Sequence, residues 1–547
     1  MNVDDEKILR SIQAVLETSL KTPFGVEDTI RACDPSLLSL LSVSPEVVRD
    51  EAYKKLYEFP YKDVPECWRR LYTESCLWIA LDLVEVAVEQ YDERQAEALS
   101  SDELIKEQDA KTWQIVEQLD KAIIMTGAPG RRDLVHCVFD LMARLRCIAF
   151  TDESCIHQPS TDTSTLTEPA PKRQKHSHQS HTSLESAGHT VRQLVYSAAS
   201  VPHPPLRRPL PVVPELSLRA FQERIGQDHR QNNLQGPLPL IIDGAIDHWR
   251  AFQPDHCWRN PQYLLSKTLG GRRLVPIEIG RSYTDADWSQ RIVTVREFME
   301  RYMLGVAPAA FSFPQRPSED EGRSARREVG YLAQHDLFAQ VPSLRADIAV
   351  PDYCYSEPPR PAVAAEGGAS SDSEDHGGEG DVAVNAWFGP AGTMTPLHTD
   401  PHHNVLAQVV GRKYVRLYGP SQTARLYPRG TNELGIDMSN TSGVDLDEAM
   451  ELLEDWTWDA PSNGEGVTGK DGAVATHGIN ADDSSSEDAD SNGRLRLSDF
   501  KRRYPDFADA EYFEGVLSEG QCLFIPKGWW HYVRSMSPSF SVSFWWD

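Results

Sequence analysis

Residues 385–418 read NAWFGPAGTMTPLHTDPHHNVLAQVVGRKYVRLY, and residues 520–533 near the C-terminus read GQCLFIPKGWWHYV. The first stretch carries His398 and Asp400, and the second carries His531. Side chains on a strand alternate between its two faces, so His398 and Asp400 can point the same way from one strand. A third ligand can then come from a distant strand across a barrel. The two stretches therefore supply two imidazoles and one carboxylate to a single metal ion.

This set of ligands is the facial triad of non-haem Fe(II) oxygenases, which leaves open positions on an octahedral ion. A chelating 2-oxoacid and dioxygen can occupy those positions. A His-x-Asp pair alone is common on solvated loops, and His402 and His403 lie close enough to be rival ligands. Pro401 argues against His402, because a proline disturbs the strand that would hold His402 on the same face.

The segment that follows the histidines places a lysine among aliphatic side chains. Residues 405–410 and 413–418 are apolar runs separated by Gly411 and Arg412. This pattern predicts a two-residue hairpin with glycine at its first turn position. Lys413 then shares a strand face with two aliphatic residues. Its ammonium group either extends to the strand's edge or pairs with a buried carboxylate, such as the free carboxylate of a 2-oxodicarboxylic acid.

At these residues the chain resembles the jumonji-C (JmjC) family of 2-oxoglutarate-dependent oxygenases. Within that family it resembles the lysine-specific demethylase 8 type, also described as protein arginine hydroxylases. Further blocks extend the resemblance from about residue 210 to the end: LPLIIDGAIDHW at 238–249, IEIGRSYTDADWSQ at 277–290, VGYLAQHDLFAQVP at 329–342, IAVPDYC at 348–354 and IPKGWWHYVRSMSPSFSVSFWW at 525–546.

The resemblance implies three groups of site residues. Fe(II) would be held by His398, Asp400 and His531. The residues implied to bind 2-oxoglutarate are Tyr331, Trp387, Thr395, Asn404, Lys413 and Trp545. The residues implied to bind substrate are Glu278, Trp288 and Gln334. A carboxylate accepts a guanidinium bidentately and an indole face stacks on it, so this last group suits an arginine.

The implied reaction converts 2-oxoglutarate and dioxygen into succinate and carbon dioxide while hydroxylating a substrate carbon. Arginine hydroxylation is the leading interpretation. Histone lysine demethylation is the alternative within the enzyme class, because a hydroxylated N-methyl group collapses to formaldehyde. An alternative of another class is a catalytically silent JmjC binding module, against which the complete triad and Lys413 argue.

The chain's 547 residues exceed what a single core usually supports. Apolar residues recur at helical spacing, which predicts a helical N-terminal domain over residues 1–155, with a break at 127–130. Residues 156–208 are rich in Ser, Thr, His and Pro and predict a disordered linker.

Residues 209–547 are predicted to form the JmjC oxygenase domain, a double-stranded β-helix of the jelly-roll, cupin-like kind. Acidic insertions near 358–381 and 455–496 lack the apolar residues that offset chain entropy and are predicted to be disordered. The predicted fold class is therefore α+β.

The formal net charge is −27, which favours basic protein or peptide partners such as a histone tail, a ribosomal protein or a chromatin-associated protein. Basic patches interleaved with aromatic residues are not apparent, so we expect no direct binding of nucleic acid. No apolar run is long enough to span a bilayer, and no membrane association is expected.

Nine cysteines occur without any Cys-x-x-Cys pair, which predicts reduced thiols rather than a zinc module. The opening MNVDDEKILR is acidic where a secretory signal is basic, so an intracellular protein is expected. Lys172, Arg173 and Lys175 form a basic cluster after prolines. This cluster predicts import into the nucleus, with the cytoplasm as a second compartment.

Overall fold

The computed structural model describes residues 3–58, 63–97, 101–145, 194–231, 236–284, 288–304, 328–359, 382–432, 435–458 and 486–547. The chain divides into two compact units. One is drawn from Met1–Leu119 and Ala128–Leu194, and the other from Asp120–Gly127 and Val195–Asp547. No helix in the described ranges is long and apolar enough to cross a membrane.

The N-terminal region is helical, as its apolar periodicity predicts. Its helices are α1 Val3–Leu20, α2 Pro35–Leu40, α3 Pro45–Leu56, α4 Glu66–Glu97, α5 Ser101–Thr126 and α6 Arg132–Met142. Ile12 and Leu16 of α1 are fully buried, because helical spacing brings them to one face. The predicted break between α5 and α6 is present, where Gly127 and Gly130 adopt φ angles of 75° and 67°.

The second unit contains two sheets. The larger has the strand order β1-β2-β11-β8-β13-β6-β5-β3-β4, and the smaller has the order β10-β9-β12-β7. The strands are β1 Val212–Pro214, β2 Leu240–Asp243, β3 Leu274–Ile279, β4 Ser289–Thr294, β5 Gly330–His335, β6 Ala383–Gly389, β7 Met394–Thr399, β8 His403–Val410, β9 Lys413–Tyr418, β10 Tyr512–Leu517, β11 Gln521–Ile525, β12 Trp530–Ser535 and β13 Ser539–Trp546.

The helices of this unit alternate with the strands along the chain: α7 Leu218–Gln231, α8 Pro261–Lys267, α9 Val295–Phe298, α10 Leu337–Gln340, α11 Pro342–Arg345, α12 Leu446–Glu454 and α13 Ser486–Arg503.

Strand β9 is buried on both faces. Val415 and Leu417 belong to one apolar cluster with residues of β8 and β11, and Tyr414 belongs to a second cluster with residues of α12 and α13. The two sheets, which are antiparallel apart from the parallel pair β1 and β2, form the predicted double-stranded β-helix.

The predicted hairpin at Gly411 is wrong, although both of its strands are present. β8 pairs with β11 and β13 in the larger sheet, whereas β9 pairs with β10 and β12 in the smaller sheet. Gly411 and Arg412 therefore form a corner between the sheets. A Cβ atom on Gly411 would lie 2.1 Å from the carbonyl oxygen of Pro538, so the corner needs glycine for close approach as well as for its φ of 76°.

The predicted linker over 156–208 extends too far toward the barrel. Its last residues, from 194 onward, run along the second unit in extended conformation. Ser197 N donates to Met303 O at 2.8 Å, and Val201 N donates to Met536 O at 2.7 Å. Such a segment has no internal periodicity, because its backbone bonds to distant segments of the chain. Residues 156–193 lie outside the described residues.

The second acidic insertion, predicted as disordered over 455–496, is ordered at both ends. Trp458 is buried in the cluster outside β9, and α13 begins at Ser486. Arg496 pairs with Glu451 of α12, and Phe500 is buried against the same cluster. These contacts order a polar segment whose composition alone favours disorder. Residues 459–485, and residues 360–381 of the first insertion, lie outside the described residues.

Candidate metal and cofactor site

Three potential metal ligands converge where β7 meets β12. His398 on β7 lies opposite His531 on β12, and Asp400 follows the end of β7. One ligand atom from each residue lies within 4.8 Å of the others. Nε2 of His398 is 3.7 Å from Asp400 Oδ1, and Nε2 of His531 is 3.5 Å from Asp400 Oδ2. The predicted facial triad is therefore assembled.

Hydrogen bonds orient both imidazoles. Nδ1 of His398 lies 2.8 Å from Pro396 O, and Nδ1 of His531 lies 3.0 Å from Trp529 O. Carbonyl oxygens only accept, so each Nδ1 carries the hydrogen and donates. Nε2 of each ring faces Asp400. This arrangement is typical of histidines that bind a metal.

The electrostatics of the triad suit a divalent cation. Burial lowers the pKa of His398 to about 4, which keeps that ring neutral. Burial also raises the pKa of Asp400, but the hydrogen bond and charge of His531 outweigh it, and the net shift is downward. Burial lowers the pKa of His531, but its hydrogen bond with Asp400 outweighs burial, and the net shift is upward. Neutral imidazole and ionised carboxylate are the forms that bind metal, so a metal ion would replace the proton shared by His531 and Asp400.

The rival histidines have other partners. Nδ1 of His402 lies 3.0 Å from Asp547 Oδ2. Nδ1 of His403 accepts from the backbone N–H of Lys527 at 3.1 Å, and its ring packs on Phe524. Among the described residues, the metal-binding group consists of His398, Asp400 and His531.

A partly open cavity lies beside the triad. The triad lines it together with five of the six residues expected to bind 2-oxoglutarate: Tyr331, Trp387, Thr395, Asn404 and Lys413. Leu406, Ile525 and Val533 form its apolar wall. Sequence reasoning missed these three, because nothing in an alternating strand distinguishes a cavity wall from ordinary core.

Lys413 is the cationic group of the cavity. Its side chain is buried, and burial lowers the pKa of its ammonium to about 7. Nζ donates to the hydroxyl of Tyr331 at 3.3 Å. No carboxylate of the described residues forms an ion pair with it, and a buried cation without an anion is costly. The far carboxylate of a dicarboxylic acid would supply the missing charge.

Asn404 and Trp387 contribute polar groups to the lining of the cavity. Oδ1 of Asn404 is buried and has no hydrogen-bond partner among the described residues. The indole N–H of Trp387 donates to Ser543 Oγ at 2.9 Å, which fixes the ring as a wall. A buried ammonium without an anionic partner beside a metal triad fits a bound 2-oxoacid.

Trp545 does not line the cavity, in contrast to the expectation from the resemblance. It lies on β13 opposite Asn404, and its ring stacks on His402 with centroids 5.9 Å apart. Trp546 faces the other way and donates to Ser356 O. Trp545 is therefore a neighbour of the cofactor residue Asn404.

The expected substrate residues lie outside the cofactor cavity on neighbouring strands. Glu278 on β3 pairs in register with Tyr331 on β5. Burial raises the pKa of the Glu278 carboxyl, and the adjacent Trp288 indole opposes that shift. Gln334 is exposed near the end of β5, with a φ of 46°. Glu278 and Trp288 are thus brought together next to a cavity residue, and Gln334 lies further along the same strand as Tyr331.

Tyr283 belongs to the same region and was missed from the sequence. Its hydroxyl lies 3.4 Å from Thr441 Oγ1, and burial raises its pKa, with further contributions from the charges of Glu278 and Asp400. Tyr283 therefore lies between the carboxylate proposed for substrate and the metal ligand. Its place within the block at 277–290 was the signal that could have indicated it.

Residues 227–547 match the family model of the cupin-like domain. The match covers more than half of the chain and includes the triad and the cavity. The chain belongs to the cupin-like JmjC oxygenase family. The family is in general dependent on Fe(II) and 2-oxoglutarate, and this JmjC chain is an oxygenase of the lysine-specific demethylase 8 type.

Curated relatives resemble the chain over most of its length. The Danio rerio protein named lysine-specific demethylase 8 is 31% identical over 502 residues, which are 92% of this chain and 86% of the relative. The Xenopus tropicalis protein of the same name is 30% identical over 516 residues, 92% of this chain and 88% of the relative. A Homo sapiens bifunctional peptidase and (3S)-lysyl hydroxylase is 26% identical over 317 residues, 56% of this chain and 77% of its own.

Proposed function

We propose that this JmjC oxygenase uses Fe(II) and 2-oxoglutarate to hydroxylate arginine residues of basic protein substrates. The observation that carries the arginine assignment is the pairing of Glu278 with Trp288 next to Tyr331. Glu278 is partly buried and has no ion pair with a cation of the described residues. A guanidinium can donate two hydrogen bonds to this carboxylate while its plane stacks on the indole.

The triad would hold Fe(II) through the two imidazole Nε2 atoms and the carboxylate of Asp400. Lys413 and the Tyr331 hydroxyl would bind the far carboxylate of 2-oxoglutarate, and the amide N–H of Asn404 would donate to the same molecule. When bound, these groups supply oxygen activation coupled to oxidation of 2-oxoglutarate to succinate. The apolar wall excludes water from the reacting centre.

The geometry favours arginine over methyl-lysine. A methylated ammonium is usually recognised by an aromatic cage, whereas a carboxylate matches a guanidinium bidentately. Two relatives are named lysine-specific demethylase 8. Demethylation is therefore the alternative reaction that an experiment must distinguish from arginine hydroxylation. The net charge of −27 supports basic protein or peptide partners, including histone tails and ribosomal or chromatin-associated proteins.

We also propose a nuclear location. It is supported by the basic cluster at 172–175, which lies outside the described residues. A fusion of a fluorescent protein to the full chain, compared with a Lys172→Ala, Arg173→Ala, Lys175→Ala variant, tests it. Equal nuclear fractions of the two fusions would reject the cluster as an import signal.

Mass spectrometry of peptides tests the reaction. Arginine peptides and methyl-lysine peptides are incubated with the protein, Fe(II), ascorbate, 2-oxoglutarate and air, with an iron-free control. We expect arginine peptides to gain one oxygen atom, and a Glu278→Ala variant to lose that product while still forming succinate. Loss of methyl groups from lysine with unchanged arginine peptides would reject the arginine assignment in favour of demethylation.

A further inference from the structure

We propose that Gln340 is a positioning residue of the substrate site. Its buried carboxamide ties the start of β3 to the end of β5 and thereby orients Glu278 and Gln334. The inference rests on the proposed function, since it assumes that these two side chains contact the substrate. Gln340 itself is fully buried and does not line the cofactor cavity.

The strands that carry the substrate residues are joined by a short ladder. β3 and β5 pair at Glu278 with Tyr331 and at Ile279 with Gly330. In the described chain, no further register pair joins the start of β3 to the end of β5. Beyond these two pairs, the side chain of Gln340 connects β3 to β5.

Gln340 contacts both strands at the point where they separate. Its Nε2 donates to Leu274 O of β3 at 2.8 Å, and its Oε1 lies 2.7 Å from His335 Nε2 of β5. Burial lowers the pKa of His335, so the ring is neutral. Because the amide oxygen only accepts, His335 donates through Nε2. The two strand ends are therefore held at a distance set by one carboxamide.

A buried acid holds that carboxamide in place. Gln340 Nε2 also donates to Asp120 Oδ1 at 2.8 Å. Asp120 is fully buried and accepts from Arg273 Nη2 at 2.7 Å and from Leu274 N at 2.7 Å. Arg273 donates in turn to Gln340 O at 2.8 Å. The amide is bonded at its nitrogen and its oxygen, so its orientation is fixed.

The hydrogen-bond network around Gln340 ends beside Gln334, whose backbone is strained. Gln334 has a φ of 46°, and the register of β5 against β6 shifts between Leu332 and His335. A left-handed conformation at a residue other than glycine persists only where its surroundings enforce it. His335, which directly follows Gln334, is anchored by Gln340. Loss of the hydrogen bond between Gln340 and His335 should relax this register shift in β5 and change the direction of the Gln334 side chain.

Steady-state kinetics of Gln340→Met with an arginine peptide test the proposal. Methionine fills a similar volume but bonds neither strand. We expect the KM for the peptide to rise roughly five- to tenfold, as for loss of buried hydrogen bonds. The KM for 2-oxoglutarate and the succinate formed without peptide should not change. A purely structural role would not separate the two KM values.

Gln408→Met is the matched control. Gln408 is also fully buried, and it donates to Val410 O at 2.7 Å and accepts from Ser541 Oγ at 2.7 Å. We expect a similar fall in the midpoint of thermal unfolding but an unchanged KM for the peptide. Equal KM values for Gln340→Met and Gln408→Met would overturn the proposal.

A second variant completes the test. If Gln340→Met does not fold, His335→Phe, which removes only the ring donor, should give the same rise in peptide KM. A wild type without arginine product would reject the proposed function and this inference together, whereas an active wild type with an insensitive Gln340→Met would reject only the inference.

Discussion

Lys413 is the residue that links the fold most directly to a cofactor. Its position among aliphatic side chains was predictable from strand alternation. Its depth was not, because the residues that surround it in the cavity come from β5, β11 and β12, which are remote in sequence. Its burial in the cavity wall excludes one of the two alternatives left open by the sequence, a lysine that extends to the strand's edge.

Lys413→Met should weaken cofactor binding and stabilise the ligand-free protein. Removing a charge-assisted hydrogen bond should raise the KM for 2-oxoglutarate roughly ten- to a hundredfold. Removing an unpaired buried cation should raise the free energy of unfolding of the ligand-free protein by roughly 1–3 kcal/mol. Chemical denaturation and succinate kinetics measure the two effects. A variant with unchanged KM for 2-oxoglutarate would remove Lys413 from the cofactor site.

Cofactor affinity should depend on pH through the same residue. The pKa of Lys413 falls from its ordinary 10.5 to about 7, so the folded protein holds fewer protons than the unfolded chain between these values. The stability contribution of Lys413 therefore rises with pH over this window. Its charge, which binds the carboxylate, is lost over the same window. Affinity should fall by up to about tenfold per pH unit above pH 7.

Titration calorimetry with 2-oxoglutarate, with Mn(II) in place of Fe(II) to prevent turnover, measures this dependence. Lys413→Arg is the control, because a guanidinium stays charged across the range. A wild-type affinity that stays constant from pH 7 to 9 would contradict the depressed pKa.

At the scale of elements, the strands and helices were predictable but their pairing was not. The apolar runs beside Gly411 gave both strands, and the alternating C-terminal run gave β13. A two-residue turn between apolar runs indicates a hairpin by local rules, yet in this barrel the same turn passes from one sheet to the other. Only the partners of β8 and β9, which are more than 90 residues away in sequence, decide between the two.

Gly411→Ala tests that corner. Alanine would bring Cβ against Pro538 O in a left-handed conformation, and should destabilise the fold by roughly 3–5 kcal/mol. Gly392→Ala is the control, because Gly392 has a φ of 89° but no atom within 4 Å of its Cβ position. Its cost should be about 1–2 kcal/mol, the conformational part alone. Equal shifts in urea midpoint would contradict the close approach at Gly411.

At the scale of the whole molecule, apolar periodicity predicted an N-terminal helical region and the family resemblance predicted a C-terminal barrel, but the limits of both were misplaced. Residues 194–208 look like linker because their hydrogen bonds go to the barrel instead of to each other. Residues 120–127 continue a helical pattern yet belong to the second unit, where Asp120 bonds Arg273. Long-range backbone and ionic contacts of this kind leave no periodic signal.

Because the molecule is negatively charged, the rate at which it captures a basic substrate should depend on salt concentration. With a net charge of −27, kcat/KM for a basic arginine peptide should fall several-fold between about 20 and 300 mM NaCl, while kcat stays constant. An uncharged peptide with a single arginine is the control and should show a smaller fall. Equal salt dependence of the two peptides would show that the overall charge does not attract substrate.

The most direct test of the account is the fate of heavy-isotope dioxygen in a reaction with an arginine peptide, Fe(II) and 2-oxoglutarate. We predict one heavy oxygen atom in the hydroxylated arginine and one in succinate. Folded His398→Ala and Asp400→Ala variants should give neither product. Heavy oxygen absent from both products of the wild type, or full turnover by the triad variants, would contradict the assignment of His398, Asp400 and His531 as the metal centre of an oxygenase.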